Sequence, residues 1–600
     1  MRALRSALPL GALLLMALPL PALAQHWPFP DAPTAAGSPA PAVRVFRLSG
    51  AGHDTPSPWD LFGTADDLVL PELLAALDRA AASPAVKALL VRFGPVDLSL
   101  SQREELANAL HQVRKRGKRV IVHLESVDNA DLMAASAADE VHLAPEGTVF
   151  LTGLRAEVSF YKDVLATLGL RADLEAQGRF KSAVEPMTRS GLSEPAREQL
   201  EALLDGLYAT FLERIGRNRG LGRDAVAALV DVGLFTAEQA KARGLVDKLS
   251  YWRDLVDEVT ARFGSAPALA WPVPTDTPEI GSVFGLLELL TRTDVPAQTG
   301  RPRIALLSAE GPIVSGRSQG GLMSDERVIA SDDLLDAFED IEQDASVKAV
   351  VLRIDSPGGS ALASDILWRA VERLGKKRPV VVSMGSVAAS GGYYLASAAQ
   401  RIFALDTTVT GSIGVFGGKL VYGELLDKIG VQTTVLARGK HAGLFSPLTP
   451  FTDTERAVFR DTMAHTYDTF VNRVAAGRGM SYDAVHRVAQ GRVWTGQQAV
   501  AAGLVDEIGG LPEALAAAAR LAKLSLDDAD IVLFPRQRSL LERLSGDPQR
   551  LLGPRLDLRA LLAGLPAPVA DRISAAANLL DQLLSREPAL ALLPFGLTLD

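Results

Sequence analysis

Val86-Lys87-Ala88-Leu89-Leu90-Val91-Arg92 and Val347-Lys348-Ala349-Val350-Val351-Leu352-Arg353 are one seven-residue phrase written twice, at a shift of 261 (347 minus 86). Farther along, Phe235-Thr236-Ala237-Glu238-Gln239-Ala240 through Gly244-Leu245-Val246-Asp247 returns as Trp494-Thr495-Gly496-Gln497-Gln498-Ala499 through Gly503-Leu504-Val505-Asp506, at a shift of 259 (494 minus 235). Two separated matches in the same order and at nearly the same offset make the chain a tandem duplication with a small net deletion. The first phrase is a short aliphatic run of the kind that forms a strand buried on both faces, as in a parallel sheet. Leu89 to Arg92 and Val120 to His123 read as strands of copy one, Val350 to Ile354 and Val380 to Met384 as their counterparts. Between such runs lie longer amphipathic stretches. Asp332 to Leu335 leads into a helix, and Ser364 to Leu374 and Asp453 to Val474 have helical spacing. The predicted fold class is α/β: two copies of a unit of parallel strands joined by crossover helices.

Six hundred residues exceed what one core can hold. Copy one is expected over 43–263 and copy two over 303–524. The intervening 264–302 carries prolines at 267, 272, 274, 278, 296 and 302 and reads as a linker, with room for a short helix from Glu279 to Leu290. Beyond Leu524 the repeat is expected to end, and 525–600 reads as a helical tail, with apolar segments at Ser539 to Leu552 and Leu556 to Leu584. At the other end, Arg2 and Arg5 precede the apolar run Ala7 to Leu20 and then Pro21-Ala22-Leu23-Ala24-Gln25. Basic, apolar, then small at −3 and −1 is the order of an export signal. Residues 1–24 are therefore expected to be a cleaved signal peptide or a retained membrane anchor, and either places the bulk of the chain outside the cytoplasm.

Composition removes several chemistries. A net charge of −9 without a concentrated basic face argues against a nucleic-acid partner. The absence of cysteine removes thiol nucleophiles, disulfides and cysteine-ligated zinc. The eight histidines show no metal-ligand spacing, so neither a metal nor another cofactor is expected.

The chemistry of copy two begins at Asp355-Ser356-Pro357-Gly358-Gly359-Ser360, directly after a predicted strand. Glycines there let backbone N–H groups turn into a cleft, as an oxyanion hole requires. Such a run is also an ordinary turn, but at the same offset copy one has Asp97 and Leu98, so the scaffold does not demand it. After the next strand comes Ala388-Ala389-Ser390-Gly391-Gly392-Tyr393. A serine opening a helix is either an N-cap or a nucleophile whose following amide can bind an oxyanion. The equivalent Val127-Asp128-Asn129-Ala130-Asp131-Leu132 has neither serine nor glycine pair, which favours the nucleophile.

A serine hydroxyl needs a base. Gly439-Lys440-His441-Ala442 of copy two corresponds to Gly178-Arg179-Phe180-Lys181 of copy one. Copy one holds lysine without serine, and copy two holds serine without lysine. The two fit together if one site is built between the copies, with Ser390 as nucleophile and Lys181 as a base whose pKa is lowered by desolvation beside Phe180, Ala183 and Val184. His441 is the competing base, weakened by the apolar ring that copy one accepts at that place.

Gly178-Arg179-Phe180-Lys181-Ser182-Ala183-Val184-Glu185-Pro186, with the two copy-two motifs above and Thr410-Gly411-Ser412-Ile413-Gly414-Val415, closely resembles the long, duplicated form of the signal peptide peptidase A family, also called protease IV. The resemblance runs from about Val43 to Gly510. It implies a Clp-protease/crotonase-like fold in each copy, a homotetramer, association with the periplasmic face of the inner membrane, and cleavage of remnant signal peptides and other apolar peptides. By position it implies Ser390 as nucleophile, Lys181 as general base, Ser412 as the hydroxyl that orients the lysine, and the amides of Gly359 and Gly391 as oxyanion donors. Two rival readings are a crotonase-type enzyme acting on a coenzyme-A thioester, which would need an acidic catalytic residue, and a non-catalytic membrane-associated scaffold that kept the fold.

Overall fold

The computed structural model describes residues 42–56, 67–272, 300–318, 327–535 and 590–592. The N-terminal segment 1–24, the expected helix from Glu279 to Leu290 and the tail segments Ser539 to Leu552 and Leu556 to Leu584 lie outside them.

The repeated phrase forms the middle of a sheet in each copy. In copy one the strands run in the order Ala268–Trp271, Val43–His53, Ala88–Asp97, Arg119–Leu124, Glu140–Leu143 and Lys248–Leu249, with all neighbours parallel. In copy two the order Asp530–Phe534, Arg303–Glu310, Val347–Ser356, Val380–Ala389 and Arg401–Ala404 repeats it, with Glu507–Ile508 at the far edge. The strands expected from their aliphatic runs are all present. Val350, Val351 and Leu352 are completely buried, as are Leu89 and Leu90, because helices cover both faces.

The crossover helices keep the same correspondence down to their caps. Glu194–Arg219 starts at Ser193, whose hydroxyl accepts the Ala196 amide, and stops at Gly220 in the left-handed conformation. Its counterpart Asp453–Arg478 starts at Thr452, in a reciprocal capping box with Glu455, and stops at left-handed Gly479. Ser331–Gln343 and Ala361–Gly375 are the other helices expected from spacing in copy two.

Two boundaries differ from the sequence reading. Residues Ala268–Trp271, inside the span read as linker, form a strand on Val43–His53. Asp530–Phe534, beyond the expected end of the repeat at Leu524, is its equivalent on Arg303–Glu310. Both are four- or five-residue edge strands followed by proline, and that proline is what hid them.

The copies are joined by packing and by charge. Helix Leu511–Leu521 of copy two buries Leu511, Ala514 and Ala518 in a hydrophobic cluster that contains Leu106 and Leu110 of copy one as well as Val351 and Val381 of copy two. Within this contact the completely buried Arg353 donates to Asp54 Oδ2 at 2.9 Å and to Glu105 Oε2 at 2.7 Å, both from copy one. Among the described residues, no helix is long and apolar enough to cross a membrane.

Candidate active site

A third sheet brings the two halves of the site together. Strand Arg171–Gln177 of copy one pairs antiparallel with strand Val415–Val421 of copy two, in the register Gln177 with Val415 through Arg171 with Val421. Charge holds the pairing in place: Arg456 of copy two donates to Asp173 at 2.6 Å and pairs with Glu175 of copy one. Just past Gln177 the chain turns at Gly178, and the Phe180 amide donates to the Gln490 carbonyl at 2.7 Å. Lys181 follows, delivered into copy two by these backbone bonds.

Lys181 is 3% exposed and Ser390 is completely buried. Lys181 Nζ lies 2.9 Å from Ser390 Oγ, 2.9 Å from Ser412 Oγ and 3.2 Å from the Ser412 carbonyl oxygen. Burial pushes the amine well below its ordinary range. A neutral amine at this distance from a hydroxyl can accept its proton. Both groups belong to one chain.

Ser390 ends strand Val380–Ala389 and precedes the short helix Gly391–Ala396, but its side chain makes no capping bond to that helix. Its backbone has φ of 55° and ψ of −111°, a conformation that costs a non-glycine residue of order 1–3 kcal/mol. The Ser390 amide, donating to the Gly411 carbonyl at 2.8 Å, helps to hold it there. The N-cap alternative therefore fails: the hydroxyl is turned away from the helix and toward the amine. Ser412 also has positive φ, at 51°, and its amide is fixed by the Arg492 carbonyl at 2.7 Å.

Gly358–Ser360 is a short strand beside Ile313–Val314. A Cβ on Gly359 would fall 2.0 Å from the Ile313 carbonyl oxygen, which accounts for the glycine there. A Cβ on Gly391, in turn, would lie 3.1 Å from Gly358 Cα, so the two glycine motifs are in contact next to Ser390. Asp355 ties them together from behind, accepting the amides of Ser386 at 2.9 Å and Val387 at 3.2 Å on the strand that ends in Ser390.

His441 does not join this group. The partners of Ser390 Oγ are Lys181 Nζ and, at 3.5 Å, the Gly414 carbonyl, whereas His441 influences Glu455 elsewhere on copy two. Sequence reasoning missed Gln199, a completely buried amide on helix Glu194–Arg219. Its Nε2 donates to the Phe180 carbonyl and to Ser182 Oγ, both at 2.8 Å, bracketing Lys181, and its Oε1 accepts the Val493 amide of copy two at 3.3 Å. A lone glutamine on a helix carries no signal for such a role. The signal, had it been used, was its position on the copy-one helix that follows the lysine motif.

The model of the family described as Peptidase family S49 matches residues 112–264 and again 372–525, one region in each copy. Serine protease SPPA of Arabidopsis thaliana chloroplasts is 32% identical over 82% of this chain and 72% of its own length. Protease 4 of Haemophilus influenzae is 32% identical over 83% of this chain and 80% of its own. A protein of Enterococcus faecium named as a signal peptide peptidase, SppA, is 32% identical over 49% of this chain and 82% of its own. With a serine and a buried amine in hydrogen-bonding contact between two matched regions, the chain belongs to peptidase family S49 and is a serine peptidase.

Proposed function

We propose that this peptidase cleaves apolar peptides, remnant signal peptides among them, at the cell envelope, through a dyad of Ser390 and Lys181. The observation that carries the reading is the 2.9 Å contact between a deeply buried amine, its pKa lowered by desolvation, and a buried hydroxyl held off its helix. Neutral Lys181 takes the Ser390 proton, Oγ attacks the peptide carbonyl, and the amides of Gly359 and Gly391 stabilise the oxyanion. The protonated lysine then gives its proton to the leaving amine. Water, deprotonated by the same lysine, hydrolyses the acyl-enzyme. Ser412, in contact with Nζ through both its hydroxyl and its carbonyl, orients the amine throughout.

An envelope location is supported by the basic, apolar and small order of residues 1–24. A homotetramer is supported by an unmatched half of the duplication. At the shift of 261, the strand Arg171–Gln177 corresponds to 432–438 of copy two, and Val415–Val421 corresponds to 154–160 of copy one. Neither of those stretches is a strand, and 432–438 is exposed throughout, with Val435 63% and Leu436 89% accessible. A second chain supplying the missing partner repeats the intrachain pairing head to tail, the kind of interface that closes into a ring.

Treatment with a fluorophosphonate and measurement of intact mass tests the dyad. Addition of one phosphonyl group to the protein, absent in Ser390→Ala and strongly slowed in Lys181→Ala, is the expected result. Equal labelling of Lys181→Ala, or loss of labelling only in His441→Ala, would reject it.

A further inference from the structure

The strand of Gly358–Ser360 and the strand of Val415–Val421 are not neighbours. Between them lies Leu590–Leu592, from the far end of the chain. It runs antiparallel to both, with Gly358 opposite Leu592, Gly359 opposite Ala591, Ser360 opposite Leu590, and Phe416 opposite Leu590 on the other side. Leu590 is 3% exposed and packs against Phe416 and Ala183, the latter two residues beyond Lys181. The occupied slot is one strand wide, and its walls are the glycine strand beside Ser390 and Val415–Val421, the copy-two partner of the strand that delivers the lysine.

A peptide substrate has to lay its scissile carbonyl across the same Gly359 amide, and an extended backbone between two strand edges is the arrangement that pairs its N–H and C=O groups. The occupant and a substrate are therefore mutually exclusive. The occupant also has the substrate's chemistry: Ala589-Leu590-Ala591-Leu592-Leu593 is a short apolar run with a small residue at its centre. Pro588 and Pro594 bracket it in the sequence. From Phe534, the last residue of the edge strand on copy two, 55 residues (535 to 589) lead to Leu590, enough chain to cross the molecule many times over. Tethered in this way the run is presented at an effective concentration of order millimolar, against which a free peptide must compete.

We infer that residues 590–592 are a built-in competitor: the chain's own tail fills the substrate slot, and substrate must displace it. The inference rests on the peptidase reading above and concerns the regulation of that site. It makes the free slot a minor state, so the apparent affinity for substrate is lowered by the fraction of chains whose tail is out.

The test uses the full-length chain with Ala591→Pro, which removes an N–H from the ladder, and separately with Leu590→Asp, which places a charge where a leucine is buried. Neither residue belongs to the two copies or to the dyad. Both variants should lower KM for a fluorogenic apolar peptide, and speed fluorophosphonate labelling of Ser390, by about tenfold or more, with kcat unchanged. A synthetic peptide spanning 586–596 should inhibit the Ala591→Pro enzyme competitively, and the same peptide with proline at 591 should not. Unchanged KM and labelling rate in both variants would overturn the inference while leaving the dyad standing. Ser390-dependent loss of the tail from the wild-type mass would also overturn it, by making the run a substrate rather than a competitor. No labelling in any of the proteins would overturn the peptidase reading, and this inference with it.

Discussion

Gly491 lies directly beneath Lys181: a Cβ on Gly491 would fall 2.5 Å from the Lys181 backbone nitrogen and 2.6 Å from its Cα. Any side chain at 491 must displace the Lys181 backbone that positions the amine, and the φ of +81° at this position adds a further penalty for an L-residue. Gly491→Ala should lower kcat by about 100-fold, the scale of a misplacement near 1 Å, and lower Tm by a few degrees. Steady-state kinetics with a thermal melt on the same preparation checks both.

Lys181→Met should reduce kcat/KM by about 1,000-fold or more, since the base is lost while the oxyanion amides and binding slot remain. The same change should leave the protein at least as stable at neutral pH. Burial holds the folded amine below its ordinary 10.5, so between the depressed folded value and 10.5 the unfolded chain binds a proton that the folded chain does not. Folding therefore opposes that proton in this window, and methionine removes the penalty. Urea unfolding of the two proteins at pH 7 measures it.

The same sign governs the rate. Below its folded pKa Lys181 is an ammonium and cannot accept the Ser390 proton, so kcat/KM and the fluorophosphonate labelling rate should both rise with pH along one acid limb. That limb should lie well below the ordinary lysine range, because desolvation lowers this pKa. A limb near 10, or activity that falls as pH rises through the neutral range, would contradict the assignment.

Glu105→Gln should destabilise the protein by about 3–5 kcal/mol, because Arg353 stays charged and completely buried with one of its two carboxylate partners gone. Replacing the cluster together, by Arg353→Met with Glu105→Leu and Asp54→Leu, should cost less than the single change. Denaturant midpoints for the two variants give the comparison.

Ser412→Ala removes one of two contacts that Ser412 makes to Nζ and leaves the carbonyl at 3.2 Å. The expected effect is a fall in kcat of about tenfold with KM little changed, since the residue touches the base and not the substrate. An equal rise in KM would place Ser412 in binding instead.

The duplication made the chemistry legible. A lysine or a serine motif alone is weak, but Lys181 facing Ala442 in the other copy, and Ser390 facing Asn129 at the constant shift, left two complementary halves. What brings the halves together was not legible. Arg171–Gln177 reads Arg-Ala-Asp-Leu-Glu-Ala-Gln, too polar to announce a strand, and its partner across the copies is selected by tertiary charge pairs such as Asp173 with Arg456. The repeated phrase itself conceals a divergence. Its final arginine in copy one, Arg92, pairs with the exposed Glu125, whereas Arg353 in copy two is the buried link to copy one. Periodicity reports which face is apolar and is silent on which polar residue is enclosed by a neighbour.

The antiparallel pairing of Arg171–Gln177 with Val415–Val421 also sets a time at which the enzyme can first act. On the proposed dyad, a nascent chain that has emerged only as far as Lys181 carries an amine with no alcohol to activate, and it stays inert until 240 more residues have been synthesised and docked (421 minus 181 is 240). If Ser390 and Lys181 act as the proposed dyad, proteolytic activity arrives only with completed tertiary assembly, and a fragment released early by nicking or a stalled ribosome carries only half of the site.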